Sequence, residues 1–193
     1  MRIITGKARG TKLLSPEGDS TRPTPERVKE AIFSSIQFQL EGTRFLDLFA
    51  GSGQMGLEAV SRGASLAVLV DSSAEAVSLI KENAKKTRLF EFCRIVHYQY
   101  PDYLRGFRRS GESAFDYIYL DPPFRSNLYA DVLERISESG AADPHTLVIV
   151  ESEASDLSEL VPQDSLKRYG IVKTSKYGRI SITWLMLRKE EVL

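Results

Sequence analysis

Cysteine is nearly absent from this 193-residue chain: Cys93 stands alone. That excludes a disulfide framework and a cysteine-built metal cluster. Histidine is almost as scarce. His97 and His145 are far apart and lack the spacing of metal ligands, so no metal is expected, and His97 is placed at a strand end with no chemical role. No apolar run approaches the ~20 residues of a membrane-spanning helix. The opening Met1-Arg-Ile-Ile-Thr5 has too few apolar residues for a secretion signal, so a soluble cytoplasmic protein without membrane partners is expected. Neither charge is in excess: Lys+Arg and Asp+Glu are both 26, and net charge names no partner. Internal repeats and low-complexity segments are also missing. The length suits one α/β domain spanning 1–193.

What is present centres on Phe45 to Gly56, FLDLFAGSGQMG. It reads as a buried strand over Phe45–Phe49, a glycine-rich turn over Ala50–Gly53, and a helix from Gln54. Backbone N–H groups at such a helix start are unpaired and carry partial positive charge. Glycines let a ligand approach the main chain. The string Gly51-Ser-Gly-Gln-Met-Gly56 fits the dinucleotide fingerprint, with Asp71 at the distance of a ribose ligand. Asp47 argues for another cofactor. A carboxylate inside the strand would repel a pyrophosphate, but it suits a cationic end such as the α-amino group of S-adenosylmethionine. Asp47-Leu-Phe-Ala-Gly-Ser-Gly53 resembles motif I of the class I methyltransferases that use this cofactor.

A second string, Asp121-Pro122-Pro123-Phe124, follows the apolar strand Phe115–Leu120. Ligands bind at the carboxyl ends of strands in open α/β sheets. Two prolines fix φ and remove two N–H donors, leaving a rigid corner whose carbonyls can accept. The string resembles the (Asn/Asp)-Pro-Pro-(Tyr/Phe) signature of amino-group methyltransferases.

The rest of the chain is read around these two strings. Arg2, Lys7, Arg9 and Lys12 precede the first acid, Glu17. Arg2–Thr5 and Thr11–Leu14 could pair as a hairpin across Gly6–Gly10, giving a basic extension over 1–21 ahead of a catalytic core over 22–193. Such a ribbon attracts phosphate, although basic residues also protect a sheet edge from aggregation. Thr24 is expected to cap a helix with Pro25 at its first position. Arg22 is not needed by that cap and is assigned, with Arg125, to RNA. Leu66–Val70 is a strand ending in Asp71, which could accept both ribose hydroxyls. Ser72 and Glu75 read as a capping box for a helix to about Lys86. Arg94–Tyr98 is the third strand, with Gln99 and Tyr100 after it, where class I methyltransferases read adenine. Tyr129, Val132, Leu133 and Ile136 form the core face of a helix. Thr146–Glu151 is the fifth strand. Leu166–Thr174 and Arg179–Leu187 form a terminal hairpin containing Trp184, a structural residue. The resemblance to class I methyltransferases implies an α/β fold: a Rossmann-like, seven-stranded, mostly parallel sheet with helices on both faces and strand seven antiparallel between five and six.

The chemistry follows from the target. An exocyclic amine on a base is a poor nucleophile, so it must be held in line with the methyl group, and its N–H groups need acceptors as the nitrogen pyramidalises. Asp121 and the carbonyl of Pro122 fit those roles, Pro123 stiffens the corner, and Phe124 can stack on the base. The base must leave its stack to enter. Guanine offers N1–H and N2–H side by side to an acceptor-only carboxylate. Adenine places its N1 acceptor there, which an ionised Asp would repel. Asp121 therefore leans toward guanine N2.

Arg2-Ile-Ile-Thr-Gly-Lys-Ala-Arg-Gly-Thr-Lys-Leu13, Arg22-Pro-Thr-Pro-Glu-Arg-Val-Lys-Glu-Ala-Ile-Phe33, Asp47–Gly53, Gly56-Leu-Glu-Ala59, Ser61-Arg-Gly-Ala64 and Asp121–Phe124 together resemble the RsmD family. The resemblance covers nearly the whole chain. It implies a bacterial enzyme that methylates N2 of one guanine in 16S rRNA, on assembled small-subunit particles, with S-adenosylmethionine as donor and S-adenosylhomocysteine as product, and the chain is expected to act as a monomer. Cofactor residues carried over are Asp47, Phe49, Ala50, Gly51, Ser52, Gly53, Asp71, Ser72, Gln99 and Tyr100. Gln99 departs from the Asp that many relatives carry, and Tyr100-Pro101 is unusual. The competing readings are an amino-methyltransferase of another RNA guanine or of DNA adenine N6, a nicotinamide-dependent oxidoreductase, and a non-enzymatic RNA-binding assembly factor.

Overall fold

The computed structural model describes residues 1–15, 24–123, 128–154 and 156–188. Arg22, Phe124 and Arg125 lie outside the described residues. Seven strands form one mixed sheet. The chain folds as two compact units, Met1–Gln99 and Tyr100–Leu193.

In the first unit, in chain order, stand α1 (Glu26–Ile36), β1 (Arg44–Asp47), α2 (Gln54–Ser61), β2 (Leu66–Asp71), α3 (Ala74–Lys86) and β3 (Cys93–His97). The strands pair in parallel, Phe45 opposite Ala67 and Leu69 opposite Ile95. Residues Ala67 to Val70 are all fully buried, the continuous apolar run of a strand covered on both faces. Three local expectations shift. The first strand ends at Asp47, so the turn already begins at Leu48. Pro25, not Thr24, stands at the α1 cap, and Glu26 opens the helix. Ser73, not Ser72, caps α3: its hydroxyl accepts from Ala76 N at 3.2 Å. Both serines precede a helical pattern, and a shift of one residue is the ordinary error of such a reading.

The second unit holds α4 (Tyr100–Ser110), β4 (Tyr117–Leu120), α5 (Leu128–Ser139), β5 (Leu147–Ser152), the short α6 (Gln163–Leu166), β6 (Tyr169–Tyr177) and β7 (Ile180–Leu187). β4 and β5 are parallel, and β7 is antiparallel to both β5 and β6, as expected. Trp184 is buried in β7, and Tyr129, Val132, Leu133 and Ile136 form the buried face of α5. The helix α4 has no counterpart in the sequence reading, which ran the third strand to Tyr98 and gave Gln99 and Tyr100 only a role in adenine recognition. Proline is acceptable in a first helical turn, and Leu104 and Phe107 supply the buried face. β6 begins at Tyr169 because α6 takes Gln163–Leu166.

The N-terminal segment pairs back on itself across Gly6–Gly10 as expected, with Ile3 N donating to Thr11 O at 3.0 Å and Leu13 N to Met1 O at 3.2 Å, and docks as a ribbon. Its one β-bridge joins Arg2 and Lys12. Ile3, Ala8 and Leu13 enter the same apolar cluster as Leu57, Leu69 and Ile80. Burying Ile3 and Leu13 is worth about 1.5–3 kcal/mol each. Gly6 sits at φ +87, and a Cβ there would lie 1.7 Å from the Ser61 carbonyl oxygen, so only glycine permits this approach.

A buried ionic cluster orients the ribbon. The Glu58 carboxylate accepts from Ile4 N at 2.8 Å and Thr5 N at 3.0 Å. It faces Lys29 Nζ at 3.4 Å and Arg62 Nε at 2.8 Å, and Lys29 also donates to the Arg2 carbonyl at 2.6 Å. Lys29 and Glu58 are both fully buried. Burial lowers the Lys29 pKa from 10.5, and Glu58 pulls it part of the way back.

Glu58→Gln leaves those cations uncompensated, and such a loss costs about 3–5 kcal/mol. Without the carboxylate the folded-state pKa of Lys29 falls further below its unfolded value. Between those two values the unfolded chain binds more protons, so the variant gains stability as pH rises. Urea unfolding should show a large deficit at pH 7 that narrows toward pH 10. A deficit independent of pH would show that the lost peptide hydrogen bonds, not the charges, set the cost.

Candidate cofactor cradle and acceptor corner

The candidate cofactor cradle of the first unit is built by three local features. Asp47 is the last residue of β1 and is fully buried. Next, the turn folds back on itself: Ala50 N donates to Val70 O at 3.0 Å and Gly53 N to Ala50 O at 2.7 Å. Gly51 and Gly53 take φ +53 and +79, the left-handed region where glycine carries no Cβ penalty. The third feature is Asp71. Its Oδ2 accepts from Gly51 N at 2.8 Å and its Oδ1 from Ser73 N at 2.9 Å. It thus joins the glycine turn to the cap of α3 and keeps unused lone pairs on both oxygens, since a carboxylate offers about four acceptor sites.

Space around the glycines separates their tasks. A Cβ on Gly51 would meet nothing within 4 Å, whereas one on Gly56 would meet Leu69 Cδ2 at 2.4 Å. Gly56 therefore permits close helix–strand packing, and Gly51 borders open space. Gln54, at the start of α2, is buried, and its Oε1 has no hydrogen-bond partner among the described residues. A cradle a side chain would fill and an orphaned buried acceptor both fit a bound polar cofactor.

Other expected cofactor residues are placed as follows. Phe49 is half-buried in the turn, with Ala50 and Ser52 buried beside it. Ser72 is exposed, and its carbonyl lies 3.0 Å from His97 Nε2. Gln99 is exposed just after β3. Tyr100 opens α4 in the second unit, where its hydroxyl donates to Asp131 Oδ2 at 2.6 Å. Burial, then Asp131, pushes that phenol up to about 12, so it remains a donor. Arg135, bonded to Asp131 at 2.6 Å, holds that carboxyl below its usual value.

The sequence reading missed two cradle supports. Asn83 is fully buried on α3. Its Nδ2 donates to Ser52 O at 2.9 Å and Leu14 O at 3.1 Å, while its Oδ1 accepts from Leu14 N at 2.7 Å. Met1 Sδ accepts from the Ser52 hydroxyl at 3.3 Å. The N-terminal ribbon is thus fastened to the glycine turn. An asparagine on the apolar face of a predicted helix was the available signal.

The acceptor corner of the second unit follows β4. Asp121 is half-buried, Pro122 buried and Pro123 exposed. Behind it the Tyr119 hydroxyl donates to Glu151 Oε2 in a short bond, and Tyr129 donates to the Glu151 carbonyl at 3.1 Å. Burial, reinforced by the charges of Asp121, Glu151 and Glu153, raises the Tyr129 pKa well above its usual value. The corner is therefore acidic, and Tyr129 behind it stays protonated.

On the basic ribbon, Lys7, Arg9 and Lys12 are exposed. Arg2 is exposed too, but pairs with Glu26 at 3.1 Å. Among the described residues no group of His, Cys, Asp and Glu is arranged to hold a metal, and no helix is long and apolar enough to cross a membrane.

Known proteins share this architecture. A family model described as Conserved hypothetical protein 95 matches residues 1–186. Ribosomal RNA small subunit methyltransferase D of Escherichia coli K12 is 34% identical over 163 residues, 84% of this chain and 79% of that protein. Its Haemophilus influenzae counterpart is 32% identical over 79% of each chain. A solved structure of a hypothetical protein from Thermus thermophilus superposes with a TM-score of 0.78 at 32% identity, covering 97% of this chain and 99% of that one. An O-methyltransferase from Bacillus cereus, solved with SAH, shares the fold at a TM-score of 0.69, 11% identity and coverage of 86% and 83%. The chain belongs to the RsmD family, that of the ribosomal RNA small subunit methyltransferases D.

Proposed function

We propose that this protein is an rRNA methyltransferase that uses S-adenosylmethionine to methylate the exocyclic N2 of one guanine in 16S rRNA, as a cytoplasmic monomer acting on an assembled small-subunit particle. The observation that carries the reading is the pairing of chemistries: an open glycine turn tied down by Asp71, and a proline-stiffened acidic corner at Asp121. The family relationship supports the rRNA target.

The donor supplies an electrophilic sulfonium methyl when bound. Asp47 offers negative charge for its amino group. Asp71 accepts from the ribose hydroxyls while still holding Gly51 N, and Gln99 with the Tyr100 backbone reads the adenine. Gly51 keeps the main chain approachable. At the second site Asp121 and the Pro122 carbonyl accept N–H hydrogen bonds from the base, orient the amine and stabilise the charge that develops on nitrogen. Phe124 stacks on the base, by the family resemblance. The amine grows acidic as its new bond forms, and its proton passes to solvent or to Asp121. Arg2, Lys7, Arg9, Lys12, Arg22 and Arg125 hold phosphates.

Labelled methyl transfer to unmodified small subunits, naked 16S rRNA and duplex DNA tests this directly. N2-methylguanosine from subunits, with little from the other two, is expected. N6-methyladenine in DNA, or no transfer despite tight cofactor binding, would overturn the rRNA reading. Asp121→Ala should lower turnover about 10²–10³-fold, as loss of a transition-state hydrogen-bonding group does, with cofactor affinity nearly intact. Equal loss of both would make Asp121 structural. Gly51→Ala should keep the fold, at about 1–2 kcal/mol for a left-handed Cβ, yet weaken cofactor binding at least tenfold by calorimetry. Unchanged affinity would move the cofactor away from this turn.

A further inference from the structure

Among the described residues with exposed large apolar side chains, three are phenylalanines: Phe38, Phe90 and Phe92 are 93%, 41% and 40% exposed. All three belong to the first unit, and each precedes the amino end of a strand: Phe38 comes before β1, and Phe90 and Phe92 before β3. They therefore mark the edge opposite the glycine turn. Two lysines lie over these rings, Lys7 Nζ 5.3 Å from the centroid of Phe92 and Lys85 Nζ 5.9 Å from that of Phe90. Lys7 also lines a groove of about 340 Å³ with Phe38, Glu41 and Arg62. Glu91 lies between the two neighbouring rings in sequence.

The end of α3 supplies an independent observation. Leu89 N donates to Ala84 O at 2.9 Å and Arg88 N to Lys85 O at 3.0 Å, the paired bonds of a Schellman motif. Its left-handed position is normally glycine, yet here it is Arg88 at φ 59, the one non-glycine residue with positive φ among those described. The side chain is exposed. A strained backbone that retains a cation points to a use for that cation.

We infer that this edge is a second RNA contact, taking unpaired nucleotides by stacking on Phe38, Phe90 and Phe92 and holding their phosphates with Lys7, Lys85 and Arg88. The inference rests on the rRNA reading above. Exposed aromatic rings beside cations bind single strands without regard to sequence, because every base has a π-face. The ribbon gives continuity. Its residues Met1 and Leu14 are fastened at the glycine turn, and its tip at Gly6 and Lys7 sits on Ser61 at the far end of α2. One strip of backbone thus runs from the cofactor cradle to this edge.

Binding of a labelled ten-nucleotide oligoadenylate to the full chain, without cofactor, tests this independently of methyl transfer. The Phe90→Ala/Phe92→Ala variant should bind at least tenfold more weakly. Arg88→Gly, which suits the turn, should melt no lower than the parent, bind severalfold more weakly, and flatten the slope of log affinity against log salt by about 0.7, the value for one phosphate contact on a single strand. Decamer affinity within twofold of the parent in these variants, or no binding by the parent, overturns the inference. So does a raised KM for small subunits with decamer binding unchanged, since the edge would then meet a protein. Absence of methyl transfer to every RNA would instead sink the rRNA reading, while the decamer still decides whether this edge binds single strands.

Discussion

The fully buried carboxylate of Glu58 is the point on which the first unit hangs. It sits on α2, one turn past the glycine cradle, and takes two peptide N–H groups of the ribbon and two cations at once. A buried ion pair is weak evidence for stability, because desolvation cancels much of the attraction. What it supplies is register. The ribbon has only one β-bridge, and apolar burial of Ile3, Ala8 and Leu13 is not directional. Glu58, together with Ser61, which accepts from Ala8 N at 3.0 Å and donates to Thr5 O at 2.6 Å, converts that burial into one orientation. The same helix then carries the cradle at its start and the ribbon along its side.

This division explains what the sequence made legible. The glycine turn, the strand-terminal acids and the antiparallel last strand are local patterns. Chain spacing reports them because the interactions that build them lie within a few residues or follow a fixed topology. The α5 face was readable for that reason, and the place of β7 between β5 and β6 came from the resemblance to class I methyltransferases. Glu58 was not, because its ribbon partners lie 53 and 54 residues away, and on the page it is an ordinary acid in an amphipathic helix. Asn83 was hidden in the same way, bridging residues 14 and 52 from α3. The α4 helix went unread because only Leu104 and Phe107 supply its buried face, too few apolar residues to mark a helical period, and Pro101 sits in its first turn, where a proline breaks no bond. The shift from Ser72 to Ser73 is of another kind: adjacent serines offer equal caps, and tertiary contacts choose between them.

Acids recur at the carboxyl ends of the parallel strands: Asp47 after Leu46, Asp71 after Val70 and Asp121 after Leu120. Each lies where a strand's backbone bonds give out and the chain turns. A carboxylate in such a place costs desolvation unless N–H groups meet it. At Asp71 the compensation is visible, one peptide N–H on each oxygen. Those bonds also stiffen the loop, so the acid shapes the main chain around it, and its own orientation is set by the protein's amides.

Gly51 and Arg88 bring the opposite uses of one backbone conformation into a single unit. Their φ values, +53 and +59, are nearly equal. At the first, the absence of a side chain leaves open space beside the main chain, and the backbone itself is what the turn presents. At the second, a Schellman turn that would be most relaxed with glycine holds a long cationic side chain instead. Local propensity explains Gly51 and is contradicted by Arg88. Glycine takes the left-handed positions 51, 53 and 63, and arginine takes the one at 88, where folding alone would favour glycine; the RNA contact inferred above would give that cation its use.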